Sequence, residues 1–138
     1  MLSTKLKTAM AVFCLTLILA PGIVRNQAHA TPQTQDFTLT LSQSGLVKLK
    51  RGTGFILDRT ITSINGFNGT VDFQIGGLPL GVTSVSVLDD GPVTGSGTSG
   101  IGIQSDKHNF QLNAVSTVTV TATSGSLTHT ASFQMEVI

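Results

Sequence analysis

The chain has 138 residues, a formal net charge of +1, one cysteine, seven phenylalanines and neither tryptophan nor tyrosine. A lone cysteine excludes a disulfide framework and a Cys-ligated zinc site, and a charge this close to zero leaves no basic field for holding nucleic acid.

In chain order, Lys5 and Lys7 precede an apolar stretch from Ala9 to Ala20 that Pro21-Gly22 ends, and Ala28-His29-Ala30 follows as a small-x-small triplet. This order predicts a secretory signal over residues 1–30, cleaved after Ala30 at the site marked by Ala28 and Ala30, and a mature domain over residues 31–138. The apolar run is about a dozen residues, short of the roughly 20 that span a bilayer, so no stable membrane insertion is expected after cleavage. Cys14 lies inside that run and leaves with it, as do Lys5, Lys7 and Arg25, so the mature part holds five basic and seven acidic residues and no thiol. Export without disulfides suits a bacterial secreted, periplasmic or cell-surface protein better than a small animal extracellular domain.

Beyond residue 30 the apolar residues recur at period two, which predicts strands. They are expected at Phe37–Leu41, Leu46–Lys50, Phe55–Ile64, Thr70–Ile75, Thr83–Leu88, Gly100–Gln104, Val115–Thr123 and Leu127–Val137, all rich in the β-branched and aromatic residues that half-buried strands favour. Between them Asn65-Gly66, Asn68-Gly69, Gly76-Gly77, Leu80-Gly81, Asp90-Gly91-Pro92 and Ser124-Gly125 supply turn residues that tolerate positive φ or pre-set a bend. Lys48, Lys50 and Arg51 read as a solvated sheet edge. The last strand shows the alternation best, with Leu127, Ala131, Phe133, Met135 and Val137 on one face and Thr128, Thr130, Ser132, Gln134 and Glu136 on the other. Seven or eight short strands in one domain is the count of an immunoglobulin-like β-sandwich. Arg59 shares parity with Phe55, Leu57 and Ile61, which aims a charge at the core; a bulge or an edge position is expected to turn it away.

Four segments carry a family likeness: Asn65-Gly66-Phe67-Asn68-Gly69-Thr70-Val71, Gly77-Leu78-Pro79-Leu80-Gly81-Val82-Thr83, Val93-Thr94-Gly95-Ser96-Gly97-Thr98-Ser99, and residues 118–132 from Val118 to Ser132. In that order they resemble the Ig-like (immunoglobulin/fibronectin-III-like) modules of bacterial extracellular proteins, here as a single copy. The resemblance implies a sandwich fold and a place outside the cytoplasm; its motifs are turn and strand motifs, and they name no chemistry. Such modules usually carry a Pro-Gly turn before the second strand, where this chain has Lys50-Arg51-Gly52-Thr53-Gly54, and often an aromatic where it has Ser116.

No catalytic, cofactor-binding or metal-binding residue is assigned, and no enzyme activity is expected. Of the two histidines beyond residue 30, His108 falls in a turn and His129 on the apolar parity of the last strand, with no nucleophile that the sequence places beside either. Gly95-Ser96-Gly97-Thr98-Ser99-Gly100 lacks the spacing of a nucleophile elbow and the lysine of a phosphate loop, and it reads as a flexible loop. Asp89-Asp90, with Asp58, Asp72 or Asp106, could give oxygens to calcium at a loop end. Phe67 and Phe110 are expected to be the exposed aromatic rings a glycan site would need. The expectation is therefore a secreted or envelope-associated non-catalytic module with a protein-interaction or structural role, through an unidentified protein partner or self-association and with no nucleic acid, the alternative being a glycan- or calcium-binding accessory module.

Overall fold

The computed structural model describes residues 30–108 and 113–138. The signal segment, Ala28 included, and Phe110 lie outside the described residues, and Ala30 stands exposed at their start.

Nine strands and no helix are found among the described residues: β1 (Asp36–Leu41), β2 (Leu46–Leu49), β3 (Gly54–Ile64), β4 (Thr70–Gly76), β5 (Val82–Val85), β6 (Val93–Thr94), β7 (Gly97–Ser105), β8 (Val115–Ser124) and β9 (Leu127–Val137). They form two sheets, ordered β1-β3-β7-β5 and β2-β9-β8-β4-β6. All pairings are antiparallel except β2 with β9, which runs parallel from Leu46↔Gln134 to Leu49↔Val137. The chain thus enters through the first sheet with β1 and crosses at once to the second with β2. This is an Ig-like β-sandwich, as expected, with nine strands among the described residues where seven or eight are predicted.

Alternation builds the core. Leu57 and Ile61 of β3, Ile101 and Ile103 of β7, Val118, Val120 and Ala122 of β8, and Phe133, Met135 and Val137 of β9 are buried between the sheets. At about 1.5–3 kcal/mol for each fully buried large apolar side chain, this interleaving is the main favourable term. The core has two parts. One centres on Leu57, Ile103, Val118, Val120, Phe133, Met135 and Val137, the other on Phe37, Ile61, Phe67, Val71, Val93 and Ala122, and Leu39 and Phe73 touch both.

Several expectations need correction. Arg59 sits at neither a bulge nor an edge: β3 pairs with β7 in unbroken register from Gly54↔Gln104 to Ile61↔Gly97 and with β1 on its other side, and Arg59 points inward, 3% exposed. The Gly95–Gly100 segment is not a flexible loop, because β7 begins at Gly97 and Ser99 is buried. β5 ends at Val85 rather than Leu88, since the chain leaves the ladder at Ser86, and the short β6 falls on no expected strand. Asn65 and Gly66 form a turn: both have positive φ (52° and 74°), and the Phe67 amide donates to the Ile64 carbonyl at 3.2 Å, a type I′ bend on the way from β3 in one sheet to β4 in the other. Asn68-Gly69 is different. Neither residue has positive φ; Gly69 is small because a Cβ there would lie 2.8 Å from the Phe67 ring. Phe67 itself is buried against Phe37, with ring centroids 5.1 Å apart, rather than exposed.

Candidate interaction surface

The Arg59 guanidinium organises one side of the sandwich. Its Nη2 donates to Asp90 Oδ1 at 2.8 Å, to Ser99 Oγ at 2.8 Å and to the Gly100 carbonyl at 3.2 Å, and its Nε donates to the Ser99 carbonyl at 3.4 Å. The cation also lies over the Phe73 ring, 4.4 Å from its centroid. A charge this deep is tolerated only with such partners, because an unpaired buried ion costs several kcal/mol. Ser99 Oγ passes the network on, donating to the Asp89 carbonyl at 2.8 Å and accepting from the Gly91 amide at 3.3 Å. Two backbone groups and one carboxylate of Asp89–Gly91 are therefore fixed to the interior.

That anchoring shapes the segment before it. Val85 still pairs with Gly102, and the Gly100 amide donates to the Asp89 carbonyl at 3.1 Å, so residues 86–88 arch away from the β7 edge between two tethered points. The arch carries Val87 onto the outer face of the first sheet. There β7 presents Gly100 and Gly102, and a Cβ on either would stand 3.4–3.5 Å from a Val87 methyl, with Ile56 Cγ2 3.2 Å from that of Gly100. Glycine in mid-strand marks a place where something approaches closely, and here it is this valine.

The result is an open groove of about 750 Å³ with Gly100 as its floor, Ile56, Val87 and Leu88 as apolar walls, and Asp58, Asp89, Ser86 and Thr98 around them. Leu88 is fully exposed (105%) and Ile56 57% exposed. Neither the Asp58 nor the Asp89 carboxylate meets a cation among the described residues.

A second charged region lies at the sandwich end where β2, β7 and β9 finish. Lys50, Arg51 and Lys107 surround Ile138, which is 45% exposed, and the Arg51 amide donates to the Ile138 carbonyl at 3.1 Å. Lys48, one step back on the edge strand β2, is paired with Glu136 at 3.6 Å.

The other sequence candidates fall apart from one another. His129 Nε2 lies 2.7 Å from Asp36 Oδ1 and its ring meets Phe37 edge-on at 4.7 Å. That hydrogen bond, with a second from the Phe37 amide, holds the Asp36 carboxyl below its ordinary 3.8. No hydroxyl hydrogen-bonds to His129 among the described residues. His108 is exposed, its amide donating to Asp106 Oδ1. Asn65 Nδ2 donates to the Thr34 carbonyl at 2.8 Å, which gives the Asn-Gly turn a tethering role for the segment before β1. No group of three or more His, Cys, Asp or Glu able to hold a metal occurs among the described residues. The Asp90 carboxylate is taken by Arg59, and with Phe67 buried the glycan reading loses one of its two rings. Sequence reasoning missed Ser99 and Asp90 as Arg59 partners; the signal was the inward parity of Arg59 itself, which demands an acceptor inside.

No protein-family model matches the chain, and no curated protein does. Solved structures resemble it. Domains 4 and 5 of the S-layer protein SbsC align with a TM-score of 0.50 at 18% identity, over 76% of this chain and 54% of that one. The SrpA adhesin from Streptococcus sanguinis aligns with a TM-score of 0.51, also at 18% identity, over 79% of this chain and 59% of that one. At such identity the likeness shows the all-β sandwich fold, and the chain spans little more than half the length of these structures.

Proposed function

We propose that this chain is an exported, non-catalytic module of the bacterial Ig-like kind that works outside the cytoplasm by protein interaction or as a structural part. The observation that carries the proposal is the groove: apolar side chains turned to solvent between two uncompensated carboxylates, on a frame that a buried ion pair holds in shape. Contiguous exposed apolar surface rimmed by polar groups is a common mark of a protein-binding site. The sandwich likeness to an S-layer protein and an adhesin supports an extracytoplasmic setting, in keeping with the signal expected from the sequence of residues 1–30. The non-catalytic part of the proposal is supported by the placement of two candidate acid–base groups in structural pairs, His129 with Asp36 and Asp90 with Arg59.

The test is a photo-crosslinking amino acid placed at Leu88 in the full chain and activated in cells, with fractionation and N-terminal sequencing of the product. The proposal expects an N-terminus at Thr31, recovery outside the cytoplasm, and a protein adduct at Leu88 that is absent when the crosslinker is placed at Thr121 on the opposite sheet. An intact Met1 in the cytoplasmic fraction, or no adduct at Leu88, would overturn it.

A further inference from the structure

We infer that the occupant of the groove is the charged end of a second copy of this chain, so that the protein associates head-to-side with itself. This rests on the interaction role proposed above. The argument is the distribution of uncompensated charge. Residues 31–138 hold five cations. Arg59 is spent inside on Asp90 and Lys48 on Glu136. The remaining three, Lys50, Arg51 and Lys107, all stand around exposed Ile138, and none makes an ion pair among the described residues.

Of the seven carboxylates, Asp36, Asp90 and Glu136 are paired; of the other four, Asp58 and Asp89 flank exposed Ile56 and Leu88, Asp72 stands on β4, and Asp106 lies next to Lys107, offsetting part of the charge there. One surface thus offers three cations with an excess of positive charge, and the other an apolar groove between carboxylates. The two share no residue, so a single copy can use both at once. Complementary potentials steer and orient encounter, while the apolar contact supplies the non-directional part of the affinity. The two surfaces differ, so the contact is heterologous. Such contacts make rings when the rotation closes and open chains when it does not, in contrast to a two-fold dimer, which stops at two.

Sedimentation of the purified protein across a concentration series, at low and at high ionic strength, tests this. The average mass is expected to climb past that of a dimer at low salt and to fall back as salt screens the charges. Two charge-reversal variants, D58K/D89K and R51E/K107E, should each stay monomeric, and mixing them should restore association, because each then supplies the sign the other lacks. Unchanged thermal melts of both variants guard against a folding defect. An unmutated protein that remains monomeric at every concentration, a series that stops at a dimer, or association that neither variant changes would overturn the inference. If the Leu88 crosslinker captures a different protein while this chain alone stays monomeric, self-association falls and the interaction role stands. If Leu88 yields no adduct, both fall.

Discussion

The outer faces of the two sheets follow the same alternation to opposite ends. On the second sheet, β8 and β9 turn out Thr117, Thr119, Thr121, Thr123, Thr128, Thr130, Ser132 and Gln134, directly opposed in pairs such as Thr121↔Thr130 and Thr119↔Ser132. The middle of that face is a plane of hydroxyls; its exposed apolar residues, Val115 and Leu46, stand at one end, opposite Glu136 and Gln134. On the first sheet, β7 turns out Thr98, Gly100, Gly102 and Gln104, and the missing side chains let an arch from the neighbouring edge lay Val87 over the strand and leave Ile56 and Leu88 in water. A flat face needs only the pleat. A grooved face needs a local departure from it, and here the departure is tethered to an arginine held on the inner side.

The sharpest way to break this contrast is at the anchor. Asp90→Ala leaves the Arg59 cation buried without its carboxylate and is expected to cost about 3–5 kcal/mol in denaturant melts; a loss under about 1 kcal/mol would mean that the arch does not depend on the ion pair. Next comes the glycine floor. Gly102→Ala puts a Cβ 3.0 Å from the Val85 carbonyl and 3.4 Å from Val87, so it should destabilise by about 1–3 kcal/mol, as overpacking does. Thr121→Ala on the other face should cost far less. Leu88→Ser should change stability by no more than about 0.5 kcal/mol, since the side chain is already in solvent, yet it should weaken association or crosslinking at the groove. The smallest effect concerns pH. Asp36 is held below its ordinary 3.8 by His129 first and the Phe37 amide second, so its contribution is complete above that value and disappears as pH falls through the lowered one. Melts of Asp36→Asn and the unmutated protein, followed from about pH 5 to about pH 2, should converge at the acid end.

What could be read in the sequence was whatever one strand reports about itself. Eight of the nine strands and the inward set of β9 follow from period two, and Asn65-Gly66 names its own turn. Where two distant segments settle the matter, local reading failed. Arg59 has the parity of a core residue and the charge of a surface one, and only Asp90, 31 residues away, decides between them. Gly97, Thr98 and Ser99 have the composition of a loop, but between β3 and β5 the ladder overrides weak intrinsic preference. Phe67 sits in a turn, where solvent is the default, and is drawn in by Phe37. The groove was hidden for the same reason: Ile56, Val87 and Leu88 belong to no common pattern until the arch brings them together.

The parallel pairing of β2 with β9 bears on how the domain carries load. A pull applied before β1 and after β9 first loads β1 against β3 and, once carried on to β2, draws β2 and β9 lengthwise past each other. The ladder from Leu46↔Gln134 to Leu49↔Val137 is then sheared with its hydrogen bonds strained together, rather than unzipped one at a time as a hairpin pulled from its open end would be. Tension that reaches β2 is thereby met by a ladder whose bonds must yield together, and the arch at residues 86–88 belongs to neither β2 nor β9.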